Sequence, residues 1–273
     1  MSNLLDSPSA RRQILSNLQT RGAWERCFSH RERVSTLLSA AATEKGRLCV
    51  LGAGNCNDLD LKELQKDFIE IHLVDLDAGA VAAGIARQHA SIPSTVVIHA
   101  PYDLTGLLDR EGSDDVAGLL ARIQRPTASL PSSFDVVLSA GVLTQMFQSV
   151  EGMGLPSEAT LRLVLAMRRR HLDALLELVR PGGASVLVSD VVSTASARDL
   201  TICPAHDLAD LLARLIEERN FFTGANPSAI WQELTGDPLF SDRIADIKVY
   251  DPWLWPITAS HDYLTWALTL RRA

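Results

Sequence analysis

The sequence lacks any apolar run approaching the roughly 18 residues that a membrane span needs. Its N-terminus also lacks the ordered basic, apolar and small-residue regions of a secretory leader, so we expect a cytoplasmic protein with no membrane contact. Cysteine is scarce. Cys27, Cys49, Cys56 and Cys203 form no C-x-x-C pair, which favours reduced thiols over disulfides and gives no zinc-site spacing.

Basic residues are outnumbered, with 26 Lys and Arg against 33 Asp and Glu and a net charge of −7. This balance argues against a protein whose affinity comes mainly from neutralising nucleic-acid phosphates. The motifs G-x-S-x-G, H-E-x-x-H and G-x-x-x-x-G-K-S/T are absent, which removes the commonest hydrolase, metalloprotease and phosphate-loop interpretations. What remains is an ordinary globular composition, 47% hydrophobic and 22% charged.

The most informative segment present is residues 47–75, which reads as a strand, a glycine turn, a helix and a second strand ending on a carboxylate. Gly52 and Gly54 allow a sharp turn and let a ligand approach the backbone, while the next helix offers free N–H groups. Asp75 ends the neighbouring strand, where a carboxylate can accept hydrogen bonds from ribose hydroxyls. The segment predicts a β-α-β unit that holds a nucleotide.

After residue 47, short apolar runs alternate with amphipathic stretches, a texture typical of parallel strands joined by crossover helices. The predicted strands are 48–51, 71–75, 95–100, 134–139, 184–189, 244–250 and 263–271. Only a loop, 251–262, joins the last two strands, so they must be antiparallel. Arg180-Pro181-Gly182-Gly183 predicts a turn that neither helix nor strand absorbs.

The predicted organisation is a helical cap over residues 1–46, followed by a Rossmann-like domain over 47–273 with a helical insertion near 199–240. In the first cap helix, Leu15 and Leu18 are expected to share an apolar face. Further helices are predicted at 80–89 with Asp77 as its N-cap, 114–124, 157–179, 207–219 and 228–234.

Taken in order, these pieces resemble the class I S-adenosylmethionine-dependent methyltransferases, whose seven-stranded sheet ends in an antiparallel hairpin. VLGAGN stands where that family has its glycine-rich first motif, and LVDLD stands where it has its ribose-binding acid. HAPYDL, FDVVLSAGVLTQM and LVRPGGASVLVSD resemble the motifs that follow. The resemblance implies a doubly wound, mostly parallel α/β sheet, S-adenosylmethionine as cofactor, and methyl transfer by direct displacement to a small molecule.

The resemblance also implies roles for individual residues. It puts the glycine turn against the amino-acid part of the cofactor, Asp75 on the ribose, Asp103 near the adenine and Ser139 under the sulfonium. The full implied cofactor set is Gly52, Ala53, Gly54, Asn55, Asp75, Leu76, Asp103, Leu104 and Ser139. Cys56 departs from the pattern, because many family members carry a third glycine there.

A nicotinamide-dependent dehydrogenase is the main rival for the same fold. Its fingerprint G-x-G-x-x-G/A requires a small third residue, and Asn57 occupies that position here. Two alternatives keep the cofactor: a binding module that transfers no methyl group, and a methyltransferase of RNA or protein.

No residue declares itself as a general base. The candidates at the expected sheet rim are Tyr102, Gln145, Asp190 and His261, each of which is equally interpretable as a hydrogen-bonded rim residue. No metal site is expected, because the fourth strand ends in Ser-Ala-Gly and leaves only Asp190 of the acids that a metal-dependent enzyme would need. Trp253 and Trp255 either line a substrate pocket or anchor the hairpin.

Overall fold

A computed structural model of the chain describes residue 5 and residues 7–108, 115–125 and 130–273. Its centre is one seven-stranded sheet. The strands are β1 (Gly46–Leu51), β2 (Phe68–Val74), β3 (Val96–His99), β4 (Phe134–Ala140), β5 (Val179–Ser193), β6 (Ile244–Pro256) and β7 (Asp262–Arg272). The helices are α1 (Pro8–Thr20), α2 (Phe28–Ala41), α3 (Leu61–Asp67), α4 (Ala78–Gln88), α5 (Val116–Ile123), α6 (Val142–Glu151), α7 (Ser157–Leu178), α8 (Leu208–Glu217), α9 (Pro227–Gly236) and α10 (Pro238–Ser241).

The strand order is β3-β2-β1-β4-β5-β7-β6. Strands β1 to β5 pair in parallel, whereas β7 runs antiparallel to both β5 and β6. The predicted fold class is confirmed: this is a doubly wound, mostly parallel seven-stranded sheet with a C-terminal antiparallel hairpin. The order reverses beside β1, which has β2 on one side and β4 on the other. A crevice at such a reversal is where open α/β sheets bind ligands.

Alternating side chains of the central strands build two cores. In β1, Cys49 and Leu51 face the layer of α5, α6 and α7, whereas Leu48 and Val50 face the layer of α2, α3 and α4. This alternation follows from the two-residue period of a strand. Helices on both faces bury the sheet, which explains why its strands read as continuous apolar runs.

A smaller apolar cluster supports the segment between β5 and β6. Leu208, Leu211 and Leu215 of α8 pack with Val192 of β5 and Leu264 of β7. Helix α8 therefore packs on the hairpin side of the sheet. The division of the chain at residue 46 stays a prediction.

The turn predicted at Arg180-Pro181-Gly182-Gly183 is wrong in one respect, because these residues lie inside β5. The register explains how the strand absorbs them. Phe134 pairs with Val179, but Val136 already pairs with Ala184, so the intervening residues bulge out of the ladder. Gly182 has φ +73°, a conformation that suits glycine and permits the bulge.

The loop predicted between the last two strands is mostly strand. β6 continues to Pro256, and Trp253 and Trp255 pair with Thr265 and Tyr263 of β7 after an irregularity behind Tyr250. Aromatic residues are favoured in strands, and here the irregularity lets the two tryptophans rejoin the ladder.

The apolar face expected on α1 is also wrong. Leu15 and Leu18 are 57% and 58% exposed, and the helix buries Ala10 and Asn17 instead. α1 lies over a polar edge of the sheet, so its inward face is polar. Asp114, the first residue of the helix predicted at 114–124, lies outside the described residues. In the described part of the chain, no helix combines the length and apolar character needed to cross a bilayer.

Candidate functional site

A cleft opens at the carboxyl ends of the parallel strands, beside the reversal at β1. It has two lobes that share Gly52, Asp75 and Gln145. The larger lobe is polar and holds about 1000 Å³, counting the space open at its mouth. The smaller lobe, of about 440 Å³, is mainly apolar. We call them the polar lobe and the apolar lobe.

The glycine turn forms the floor between the lobes. Gly52 has φ +81°, and a Cβ on it would lie 2.8 Å from Cβ of Val142, so a side chain fits neither the backbone nor the space. The backbone N–H groups of Gly52 and Ala53 donate to the Val74 carbonyl at 2.9 and 3.2 Å, which fixes the turn against the end of β2. Gly54 also has a positive φ, +45°.

Asp75 faces this turn from the end of β2. Its Oδ2 accepts from the Gly54 N–H at 2.7 Å and its Oδ1 accepts from the Asp77 N–H at 2.8 Å. Burial raises the pKa of Asp75, and the two backbone hydrogen bonds oppose that rise. Each carboxylate oxygen keeps a lone pair for a further donor, so the side chain is oriented and still able to bind hydroxyl groups. Asp77 caps α4 by accepting from the Ala80 N–H, as predicted.

The departure at the third glycine of the first motif has a structural explanation. Cys56 adopts φ +51°, and Asn57 turns its side chain away from the helix–strand contact to donate to the Thr20 carbonyl at 2.9 Å. The close contact between a helix and the glycine turn is made by α4 instead. A Cβ on Gly84 of α4 would lie 2.4 Å from the Asn55 carbonyl oxygen. The sequence analysis did not identify Gly84, whose only signal was a glycine inside an alanine-rich helix.

The apolar lobe contains most of the residues assigned to the adenosine end. Leu76, Tyr102, Asp103 and Leu104 line it, together with Val142 of α6.

Asp103 has a structural task in its own loop. Its Oδ1 accepts from the N–H and the hydroxyl of Thr105, at 2.8 and 2.6 Å, and its Oδ2 accepts from the Leu108 N–H at 2.9 Å. These bonds hold the wall of the apolar lobe in shape.

Ser139 is not part of this cleft's lining. Its side chain is fully buried, and Oγ lies 2.8 Å from Nε2 of His171 on the α7 side of the sheet. Burial lowers the pKa of His171 to about 4, so the ring is neutral near pH 7. The next residue, Ala140, lines the polar lobe instead. Since neighbouring strand residues point to opposite faces, a one-residue difference decides which side chain meets a ligand.

Helix α1 crosses the mouth of the cleft and is held there by polar contacts. Gln13 Nε2 donates to Gln145 Oε1 at 2.6 Å, and Asn17 Nδ2 donates to Asp77 Oδ2 at 3.2 Å. Asn55 Nδ2 in turn donates to the Asn17 carbonyl at 2.6 Å. Gln145, a candidate base, is thus a partner of α1 in this structure. The contributions of Gln13 and Asn17 were missed, because neither has a local sequence signal.

Besides Asp75, two acids line the polar lobe. Asp190 of β5 was a rim candidate, whereas Asp58, in the loop before α3, was missed. Asp190 is 4% exposed; its Oδ2 accepts from the Thr144 hydroxyl at 2.9 Å, and its Oδ1 has no hydrogen-bond partner among the described residues. Burial raises the pKa of Asp190 to about 7, opposed by the Thr144 hydrogen bond.

Asp58 has a similar environment. Its side chain is 14% exposed, and Oδ1 has no hydrogen-bond partner within the described ranges. Burial and then the charge of Asp190 raise the pKa of Asp58 to about 7, and Arg31 opposes the rise. Because the two carboxyl groups repel each other's negative charge, the pair titrates as a coupled unit.

The imidazole ring of His30 lies between Trp253 and Asp58. Trp253 Nε1 donates to His30 Nδ1 at 2.9 Å, which leaves the ring proton on Nε2. That atom lies 3.6 Å from Asp58 Oδ1. Burial, followed by the charge of Arg31, lowers the pKa of His30 to about 3, so the ring stays neutral. Trp253 is therefore an anchor that sets the tautomer of His30.

Aromatic rings complete the wall of the polar lobe. Trp255 and Tyr263 line it, and the Trp255 ring stacks on His30 with centroids 4.5 Å apart. A Cβ on Gly141 would come within 3.0 Å of the Trp255 ring, so a glycine is needed for this contact. Of the two alternatives for the tryptophans, Trp255 lines the pocket and Trp253 anchors the hairpin.

The remaining base candidates lie apart from the acids. His261 does not line either lobe; its ring contacts Tyr263 edge-on, with centroids 4.9 Å apart. Tyr102 lines the apolar lobe. Across the residues that the structure describes, no group of three or more His, Cys, Asp or Glu side chains is arranged to hold a metal ion.

The chain is similar to known proteins in structure but not in sequence. No family model and no curated protein matches the sequence. Among solved structures, the N-methyltransferase NodS from Bradyrhizobium japonicum WM9 is 14% identical, with 92% of this chain and 97% of that chain covered and a TM-score of 0.42. A SAM-dependent methyltransferase from Methanosarcina mazei is 10% identical, with coverages of 86% and 96% and a TM-score of 0.45.

A third similar structure, described as a possible exported protein from Bordetella parapertussis, is 15% identical over 89% of this chain and 67% of that chain, with a TM-score of 0.46. Likeness at this level does not bear on the cofactor or the substrate of the present chain. Those questions rest on the cleft itself.

Proposed function

We propose that this protein is an S-adenosylmethionine-dependent methyltransferase that acts on a small molecule. The observation that carries the proposal is the two-lobed cleft, in which an apolar lobe and a polar lobe meet at Gly52 and Asp75. An adenosyl amino acid has the same division: an apolar base at one end, a polar amino acid at the other, and a ribose with two hydroxyl groups between them.

The residues fit this cofactor in three respects. Asp75 keeps acceptor capacity for the ribose hydroxyls. Leu76 and Leu104 supply apolar surface for the adenine. The side-chain-free backbone at Gly52 and Gly54 allows the amino-acid part to approach closely. When bound, the cofactor supplies an electrophilic methyl carbon on a sulfonium sulfur.

The protein's own contribution is alignment and exclusion of water. Methyl transfer by direct displacement needs the acceptor atom and the methyl carbon in line, and fixing that geometry lowers the barrier. Helix α1 covers the mouth through Gln13 and Asn17, and Trp255 and Tyr263 wall the opposite side. The site is therefore built to orient two reactants away from bulk water.

A small acceptor is favoured by the shape and charge of the polar lobe. Its volume of about 1000 Å³ includes the open mouth, and both the amino-acid end of the cofactor and the acceptor must share it. The lobe presents three acids, Asp58, Asp75 and Asp190, and the whole chain has a net charge of −7, which disfavours a polyanionic RNA. We therefore propose no nucleic-acid partner.

The test is calorimetry of the purified protein with S-adenosylhomocysteine, with NAD⁺ titrated into a matched sample. We expect binding of the first ligand and none of the second, because β7 replaces the sixth parallel strand of the dinucleotide fold and Asn57 replaces its third glycine. A folded sample that ignores S-adenosylhomocysteine at millimolar concentration contradicts the proposal. Binding without a labelled methyl product from any acceptor in a broad panel identifies a binding module instead.

A further inference from the structure

The polar lobe is lined by several residues whose hydrogen-bond acceptors have no donor. Three acceptor oxygens belong to residues that line it and have no hydrogen-bond partner among the residues described: Oδ1 of Asp58, Oδ1 of Asp190 and Oδ1 of Asn55. The orientation of Asn55 is fixed by its amide nitrogen, which donates to the Asn17 carbonyl. Buried acceptors without donors are costly and are normally satisfied in the functional state.

The cations of the protein compensate the two acids only in part, through the charge of Arg31 near Asp58. In the described ranges, no Lys or Arg lies within ion-pair distance of Asp58 or Asp190. The Arg31 guanidinium is turned towards the carbonyls of Trp24 and Asn57, at 2.7 and 3.1 Å. Arg12, which also lines the lobe, donates to the Gln148 carbonyl at 3.2 Å. His30 faces Asp58 as a neutral ring. The lobe therefore carries negative charge that a ligand has to balance.

We propose that the methyl acceptor is a primary amine, bound as its ammonium ion between Asp58 and Asp190. This inference rests on the proposed function. An ammonium group offers one positive charge and three N–H donors, which matches acids whose charge is only partly compensated and acceptors that lack donors. The aromatic faces of Trp255 and Tyr263 add a surface that attracts cations.

The position of the acids assigns the ammonium to the acceptor and not to the cofactor. Asp58 and Asp190, with Trp255 and Tyr263, line only the polar lobe, whereas Gly52 and Asp75 line both lobes. A cofactor that runs from the apolar lobe across Asp75 to the glycine turn has its amino-acid end at Asn55. The wall formed by β5, β6 and β7 then lies beyond that end and is left for the second reactant.

The two acids have different roles in the step. The positive charge of the bound ammonium favours the ionised form of both acids, and Asp58 holds the ammonium. One N–H bond breaks, its proton passes to the carboxylate of Asp190, and the electron pair stays on nitrogen. That nitrogen forms the new bond to the methyl carbon, while the electron pair of the breaking C–S bond remains on sulfur. The product is an N-methylammonium ion, and Asp190 later returns its proton to water.

The experiment uses protein saturated with S-adenosylhomocysteine and measures binding of benzylamine and of benzyl alcohol, its neutral match, by calorimetry. We expect benzylamine to bind at least about tenfold more tightly. Asp190→Asn and Asp58→Asn should each abolish this preference and leave the affinity for S-adenosylhomocysteine within about twofold. Asp251→Asn, an exposed acid on β6, makes the same change in net charge and should alter neither affinity.

The outcomes separate the sources of the ammonium. If either acid variant weakens S-adenosylhomocysteine about tenfold, the pair holds the cofactor's own ammonium and the inference is overturned. Equal binding of benzylamine and benzyl alcohol, or binding of neither, overturns it as well. Failure of the wild-type protein to bind S-adenosylhomocysteine is a separate result, which counts against the proposed function.

Discussion

At the scale of single residues, the shape of the cleft depends on the hydrogen bonds of Asp75 and on the backbone conformation of Gly52. Asp75 accepts backbone N–H bonds with both oxygens, so its carboxylate organises the turn and faces the cleft at the same time. Gly52 is held in a left-handed conformation against Val142. Both residues have signals in the sequence, and both have strict requirements in the structure.

Asp75→Asn should weaken S-adenosylhomocysteine binding by about 1.5–3 kcal/mol, because an amide offers one acceptor and loses the charge-assisted hydrogen bonds. Calorimetry against the wild type measures the change, and circular dichroism checks that the variant is folded. Asp251→Asn serves as the control with the same charge change. An unchanged affinity in a folded Asp75→Asn sample means that the ribose acid is another residue.

Gly52→Ala should lower the free energy of unfolding by about 2 kcal/mol or more, because φ +81° is strained for alanine and the added Cβ meets Val142 at 2.8 Å. Urea denaturation measures the loss. Gly22→Ala is the matched control: nothing lies within 4 Å of a Cβ there, so the same chemical change should cost far less. Equal costs at the two positions contradict the requirement for glycine in the turn.

At the scale of elements, α1 is held to the rest of the fold largely by polar side-chain contacts. It buries only Ala10 and Asn17, and it contacts the cleft through side-chain hydrogen bonds. Elements with few buried apolar contacts open at low free energy, and such elements commonly cover binding sites. Leu15 and Leu18 of α1 lie on its exposed side, so the apolar face expected there is not turned inward.

Binding of S-adenosylhomocysteine should slow amide hydrogen exchange in α1, because a ligand beneath the helix adds contacts on its inner face. Mass spectrometry of peptides covering Pro8–Thr20 measures this protection. Helix α9, Pro227–Gly236, buries Pro227, Ile230 and Leu234 away from the cleft, so its exchange should not change. Protection of α9 equal to that of α1 indicates global stabilisation and not closure of the mouth.

At the scale of the whole molecule, buried titratable groups make the free energy of unfolding depend on pH in two opposite ways. The pKa values of Asp58 and Asp190 are raised to about 7, so between pH 4 and 7 the folded chain holds protons that the unfolded chain has released. Stability therefore falls as pH rises through that window. His30 and His171 have lowered pKa values, so their contribution is lost as pH falls from 6.5 towards 3 to 4.

Asp190→Asn should flatten the fall in stability between pH 4 and 7. At pH 8 the variant should be more stable than the wild type by on the order of 1–3 kcal/mol, because a buried charge has been removed. The groups that face Asp190 are Asp58, Thr144 and Tyr263, and none is a cation that the substitution would leave unpaired. Urea titrations at pH 5 and pH 8 measure the difference. Curves parallel to the wild type contradict the burial of an ionised Asp190.

The sequence by itself determined the features that depend on neighbouring residues. Strand periodicity predicted the sheet, the loop length predicted the antiparallel end, and the N-cap at Asp77 followed from local hydrogen bonding. The glycine turn and Asp75 were found because their spacing along the chain is set by one β-α-β unit. These are short-range constraints, and the order of residues expresses them directly.

Only the tertiary structure decided what distant residues do together. Asp58 and Asp190 meet because β5 and the loop before α3 reach the same edge of the sheet, which no local pattern encodes. Ser139 faces His171 and Ala140 faces the cleft because the register of β4 sets which side each residue takes. Burial then changes the charge state of the groups that converge, since the cost of ionisation depends on the surroundings and not on the residue type.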